Sequence, residues 1–133
     1  LSGGSSAWRK TVLEQVEFDQ HNGFHGSEDI EFSTRVIQFF GNCLYINPNA
    51  KAEHNMSPIN RSFKGAKQHK KILEYILFYK KCGKGVKSYL ALVWLLFGLG
   101  LETTHQSIRN LSFNIISGFF LGLLEGIKRP IKY

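Results

Sequence analysis

Residues 26–32 read Gly26-Ser27-Glu28-Asp29-Ile30-Glu31-Phe32. Three acids fall in the first turn of an expected helix, directly behind a loop containing His21, Gly23, His25 and Gly26. The positive end of a helix favours carboxylates in their ionised form, and a loop-to-helix junction leaves them open to a ligand. Such a junction suits a proton acceptor. Ser27 is the expected N-cap. The helix is expected to run to about Phe40, with Ile30, Val36, Ile37 and Phe40 on its apolar side and Gly41 at the C′ position.

On the N-terminal side, Leu1 to Ser6 reads as a strand end followed by a tight turn, where Gly3 and Gly4 permit a close backbone approach. A short helix is expected from about Ala7 to Val16, with Val12, Leu13 and Val16 inward. On the C-terminal side, Cys43 to Ile46 is a short strand ended by Asn47-Pro48. Ala50 to Asn55 is a second short strand or an extended loop.

Glu28 and Asp29 are neighbours, so on a helix they point about 100° apart. They cannot flank one bond from opposite sides as two glycosidase carboxylates do, about 5 Å or more apart. One acts while the other bonds backbone or a neighbour; first-turn acids also serve as plain caps and dipole partners. His21 and His25 have a spacing that would suit zinc on a helix. Gly23 and Gly26 make the segment a loop, which leaves acceptor contacts or simple solvent exposure.

After Pro58 the character changes. Lys64, Lys67, His69, Lys70 and Lys71 precede or open an amphipathic helix lined by Ile72, Leu73, Ile76 and Leu77, with Lys80 and Lys81 at its C-terminal end. Tyr89–Leu101 and Leu111–Leu124 are nearly all apolar, with a polar stretch from Glu102 to Asn110 between them. A fourteen-residue helix reaches only about 21 Å, against a hydrocarbon core of about 30 Å. These runs are therefore expected to lie in, or dip into, one leaflet, with Lys87, Arg109, Lys128, Arg129 and Lys132 meeting lipid phosphates. Two core helices of a larger soluble protein are the other reading.

The 133 residues suffice for one domain with one core. The net charge of +7 hides an asymmetry: Leu1–Met56 carries four Lys/Arg against seven Asp/Glu, and Ser57–Tyr133 thirteen against three. A basic rear raises nucleic acid as a partner, but the aromatics lie in apolar runs rather than among the cations, as a base-stacking platform requires. No nucleic-acid partner is expected. Cys43 and Cys82 form neither a metal-ligand spacing nor a disulfide framework, and read as free thiols in a reducing compartment.

The order of these elements is Gly-Gly-Ser-Ser-Ala-Trp-Arg, then Gly-Ser-Glu-Asp-Ile-Glu-Phe-Ser-x-Arg, then Gly41, a strand, Pro48 and His54. It resembles the second half of the catalytic domain of family-2 glycosyltransferases, which have the GT-A fold; the likeness covers Leu1 to about Pro58. The rear is similar in composition to the helical, membrane-hugging tail of bacterial rhamnosyl- and related transferases. The resemblance implies an α/β class: a partial GT-A-like (Rossmann-like) half domain over residues 1–58, followed by an all-helical, membrane-associated tail over residues 59–133.

It also implies roles. Asp29 would be the general base that takes the proton of an acceptor hydroxyl as its oxygen attacks the anomeric carbon, with inversion. Glu28 would shape the acceptor pocket or hold Asp29. Gly3 and Gly4 would let the backbone approach the donor sugar. Trp8 would wall the sugar or acceptor site, or be plain core. Arg9 would pair with phosphate or a site carboxylate; Arg35 reads as a structural partner of an acidic neighbour. His54 would help hold a divalent metal, Mn²⁺ or Mg²⁺, on the diphosphate.

The expected partners are a nucleotide-sugar donor, a glycan or lipid-linked acceptor and a membrane surface. The expected location is the cytoplasmic face of a membrane, in cell-wall or polysaccharide synthesis. The family's nucleotide-binding βαβ region and its Asp-x-Asp do not occur in this sequence. The chain is therefore expected to be a fragment or one part of a split enzyme, inactive alone. The alternative is a non-catalytic, membrane-associated interaction module.

Overall fold

The computed structural model describes residues 6–23, 27–51, 53 and 64–132. Among them are five helices: α1 (Lys10–Gln15), α2 (Glu28–Phe40), α3 (Lys64–Cys82), α4 (Gly85–Asn110) and α5 (Asn114–Lys128). The chain divides into two compact units, Leu1–Asn60 and Arg61–Tyr133.

The expected α/β half domain is not what the described residues build, for they contain no strand. Cys43–Ile46 has no regular secondary structure. A strand must pair its amides and carbonyls with a second strand, and none of the described residues supplies one. The segment serves as a cover instead. Cys43 and Leu44 pack against the front core, while Tyr45 and Ile46 are each 86% exposed. Asn47–Ala50 closes as a turn, with the Ala50 amide donating to the Asn47 carbonyl at 3.2 Å. The Gly3-Gly4 turn and half of the second candidate strand, residues 52, 54 and 55, lie outside the described residues.

In the front unit, Phe32 and Val36 of α2 bury completely and Val16 nearly so, with Trp8 and Val12 packed beside them. This changes the face assigned to α2. Ile30, Ile37 and Phe40, expected inside, are exposed, as is Leu13 of α1. The helix does end where Gly41 is placed: its φ is +78°, and its amide closes on the Ile37 carbonyl at 2.9 Å. Ser27 occupies the N-cap position without a side-chain capping bond.

The rear unit is three helices. α3 packs along α5 more extensively than either packs on α4. Gly65 faces Gly118, His69 faces Gly122 and Ile76 faces Gly126, so α3 and α5 run parallel. Gln68 bonds Thr103, and Lys71 meets Glu102, so α4 returns antiparallel between them in sequence. The close approach requires glycine. A methyl on Gly122 would sit 2.5 Å from the His69 carbonyl oxygen, and one on Gly126 would sit 2.8 Å from Cδ1 of Ile76. Small residues spaced by four bring helix backbones together in this way, most familiarly in membranes.

Ile72, Ile76 and Leu99 form the buried centre, with Leu95, Leu96 and Phe119 packed around it. Gln68 Nε2 donates to Thr103 Oγ1 at 2.6 Å, which donates on to the Leu99 carbonyl at 2.6 Å. The buried polar pair is therefore satisfied.

α4 does not stop at Leu101. It continues through Glu102 because that carboxylate faces Lys71 at 3.2 Å. At 26 residues it is about 39 Å long. Among the described residues it is the one helix long and apolar enough to cross a membrane, and only 6% of its apolar window is buried.

Candidate functional site

The first turn of α2 carries Glu28, Asp29 and Glu31, and these acids differ in their surroundings. Glu31 is 1% exposed and is gripped by the guanidinium of Arg35 through Nε and, at 2.9 Å, Nη2. The same Nη2 donates to the Glu17 carbonyl at 2.6 Å. This forked pair is structural: it ties α2 to the segment that follows α1, and Arg35 has the role expected for it. The i, i+4 spacing of an acid and an arginine was the signal for the pair.

Glu28 and Asp29 are half-buried. Oε2 of Glu28 is buried and finds no hydrogen-bond donor among the described residues. A buried carboxylate oxygen accepts a hydrogen bond from a hydroxyl or amide brought within reach. Asp29 begins the same turn and is engaged with the surrounding protein.

One turn further along α2 is Phe32. Trp8 meets it edge-on, with ring centroids 4.8 Å apart and planes at 88°, and Phe18 stacks on it at 4.0 Å and 11°. Nε1 of Trp8 donates to Ser6 Oγ at 3.2 Å. Trp8 is thus half-buried and fixed by Phe32, the residue four positions after Glu28. Of the two alternatives for Trp8, the packing on Phe32 shows the core one. Phe32, which holds it there, was not singled out by sequence reasoning. Its place becomes evident only once Trp8 and Phe18 arrive from other segments.

Arg9 caps α1 with its carbonyl, and its side chain is exposed. Asp19, the other aspartate, is a loop former: it accepts from the amides of His21 (2.8 Å) and Asn22 (3.0 Å) and from Nδ2 of Asn22 (2.7 Å). His21 is exposed. Gly3, Gly4, His25 and His54 lie outside the described residues. Among the described residues no cluster of three His, Cys, Asp or Glu groups fits a metal ion.

The arrangement can accept a hydrogen bond from a hydroxyl at Glu28 and places a second carboxylate next to it in the chain. Compared with known proteins, the chain matches no family model, no curated protein and no solved structure.

Proposed function

We propose that this chain supplies the acceptor side of an inverting sugar transfer carried out at the cytoplasmic face of a membrane. The acceptor is a glycan or a lipid-linked sugar, and the donor a nucleotide-sugar. The observation that carries the reading is the buried Oε2 of Glu28, which has no hydrogen-bond donor among the described residues, with Asp29 next to it in the chain and the Trp8–Phe32 contact one turn further along α2. Glu28 accepts one hydroxyl of the acceptor sugar and orients it. Asp29 takes the proton of the attacking hydroxyl as its oxygen bonds the anomeric carbon and the nucleoside diphosphate departs. Trp8 offers an apolar face to the sugar ring. The reading requires donor-binding carboxylates and a divalent metal in addition to this turn.

The test is sugar transfer from nucleotide-sugars in membranes expressing the gene in its natural reading frame. Asp29→Asn is expected to lower turnover by about 10²–10⁴-fold, the range for loss of a general base. Unchanged transfer in that variant overturns the reading.

A second reading, a non-catalytic membrane-associated interaction module, is favoured by one observation. The apolar stripe of α4 stands in the open, with Trp94 76% and Leu90 63% exposed. In that case Asp29→Asn changes nothing, while disruption of the stripe abolishes membrane recovery of the chain.

A further inference from the structure

We propose that the end of the helical unit where α3 finishes and α4 begins is a docking surface for anionic lipid headgroups. Lys84, Lys87 and Lys128 are its phosphate contacts, and the open apolar faces of α4 and α5 are immersed beside it. The proposal rests on the membrane-attached reading above and adds the lipid that is recognised.

The three cations share one end of the unit, where α3 ends at Cys82, α4 begins at Gly85 and the parallel α5 ends at Lys128, and Lys80 ties α3 to the end of α5. Its ammonium donates to the carbonyls of Gly126, Ile127 and Arg129 at 3.0, 3.1 and 2.7 Å, which brings Lys128 beside the α3–α4 turn. Lys84 stands at the N-cap of α4, with its amide on Ser88 Oγ at 3.1 Å. Lys84, Lys87 and Lys128 are all exposed.

The acids of this unit are committed elsewhere. Glu74 faces Lys70 at 3.8 Å and Glu102 faces Lys71 at 3.2 Å. Glu125 takes His69 at 2.9 Å and Arg129 at 3.6 Å. Among the described residues no carboxylate pairs with Lys84, Lys87 or Lys128. Lys84 and Lys87 therefore stand without a carboxylate partner among the described residues, and Glu125, which lines one groove with Lys128, is already shared by His69 and Arg129.

Exposed lysines alone would be ordinary solvated surface. What singles these out is the apolar surface that begins beside them. On α4, Tyr89 is 60%, Val93 65% and Trp94 76% exposed; on α5, Leu124 is 53% and Ile127 62% exposed. Patches of this extent mark an interaction surface. Lysine stems lie along apolar material while their ammonium groups reach phosphate, and Tyr and Trp favour the headgroup boundary.

A second copy of the chain would bring the same cations face to face, which charge repulsion opposes; an anionic leaflet complements them. α3 keeps Lys67 and Lys70 exposed along its length. Charges of that kind are expensive within hydrocarbon. The unit therefore lies along the leaflet with α3 on the water side.

The test is co-sedimentation of the 133-residue chain with vesicles of phosphatidylcholine, with and without phosphatidylglycerol. A variant joins Lys84→Gln, Lys87→Gln and Lys128→Gln, and a control carries Arg at the same positions. Each lysine near an anionic surface contributes about fivefold, so the Gln variant is expected to lose on the order of a hundredfold in partitioning to anionic vesicles. Its binding to phosphatidylcholine should be unchanged, the Arg control should bind as the parent does, and added salt should weaken the anionic preference. Circular dichroism reports whether each variant keeps its helices. Equal binding of the parent to both vesicles, or an unaffected Gln variant, overturns the headgroup surface and leaves membrane attachment standing. Binding to neither vesicle, or a self-associated form that buries the stripe, overturns both.

Discussion

The ammonium of Lys80 lies 2.7 Å from the carbonyl oxygen of Arg129 and also reaches the carbonyls of Gly126 and Ile127. A side chain of α3 thereby fills acceptors that the last turn of α5 leaves open, and sets a positive charge at the negative end of that helix. Lys80→Met keeps much of the stem and removes the donors. It is expected to destabilise the rear unit by about 1–3 kcal/mol, read from the midpoint of chemical denaturation followed by circular dichroism.

Gly122 and Gly98 make an internal comparison. A methyl on Gly122 would meet the His69 carbonyl at 2.5 Å and Cβ of Ile72 at 3.0 Å, whereas one on Gly98 meets nothing within 4 Å. Gly122→Ala is expected to cost about 1–3 kcal/mol through overpacking. Gly98→Ala is expected to stabilise by about 0.5–1 kcal/mol through helix propensity. Thermal melts of the two variants that moved in the same direction would contradict the parallel α3–α5 contact.

The pair of Glu31 and Arg35 yields a graded series. Side-chain exposure is 24% for the arginine and 1% for the acid, so removing the guanidinium strands a charge inside. Arg35→Met is expected to destabilise the front unit by about 3 kcal/mol. Arg35→Lys keeps the charge and loses the fork, for a smaller cost of about 1–2 kcal/mol. The order of the two in urea denaturation is the check.

Leu111 ends α4 at φ +48°, and it is the one described residue other than glycine with a positive φ. That conformation costs a branched side chain about 1–2 kcal/mol, and Leu111 is 91% exposed, so little packing offsets it within the chain. Leu111→Gly is expected to raise the melting temperature, with about 1 kcal/mol gained.

What could be read from residues alone follows from how local each cause is. The end of α2 was legible because Gly41 is a local requirement, met at φ +78°. The apolar side of α3 was legible because Ile72, Leu73, Ile76 and Leu77 repeat at helical spacing, and all four are buried. The buried face of α2 was not. Val36, read as inward, is buried, but Ile30 and Ile37, read with it, are exposed and Phe32 is buried in their stead, because Trp8 and Phe18 clamp Phe32 from distant segments.

The α/β expectation failed on a similar point. Residues 43–46 have strand composition, but a strand exists only beside another. The polar stretch from Glu102 to Asn110, read as lying between two apolar runs, is the second half of α4, with Glu102 facing Lys71. The spacing of Gly118, Gly122 and Gly126 was visible in the sequence, yet its meaning requires α3. For the site, the acidic first turn was legible from spacing. That Glu28 rather than Glu31 keeps an oxygen without a donor was not, because it depends on where Arg35 reaches.

The parallel pairing of α3 with α5 has a consequence during synthesis. Gly65 and Gly118 face each other but leave the ribosome 53 positions apart. At about 5–20 residues per second, α3 waits on the order of 3–10 s for its partner. Throughout that interval the face of α3 along Gly65 and His69 lacks α5, and of the other helices of the rear unit α4 alone has been made. Nascent α3 is thus an orphan amphipathic segment, and the time at which the rear of this protein becomes protease-resistant is set by translation of its last helix.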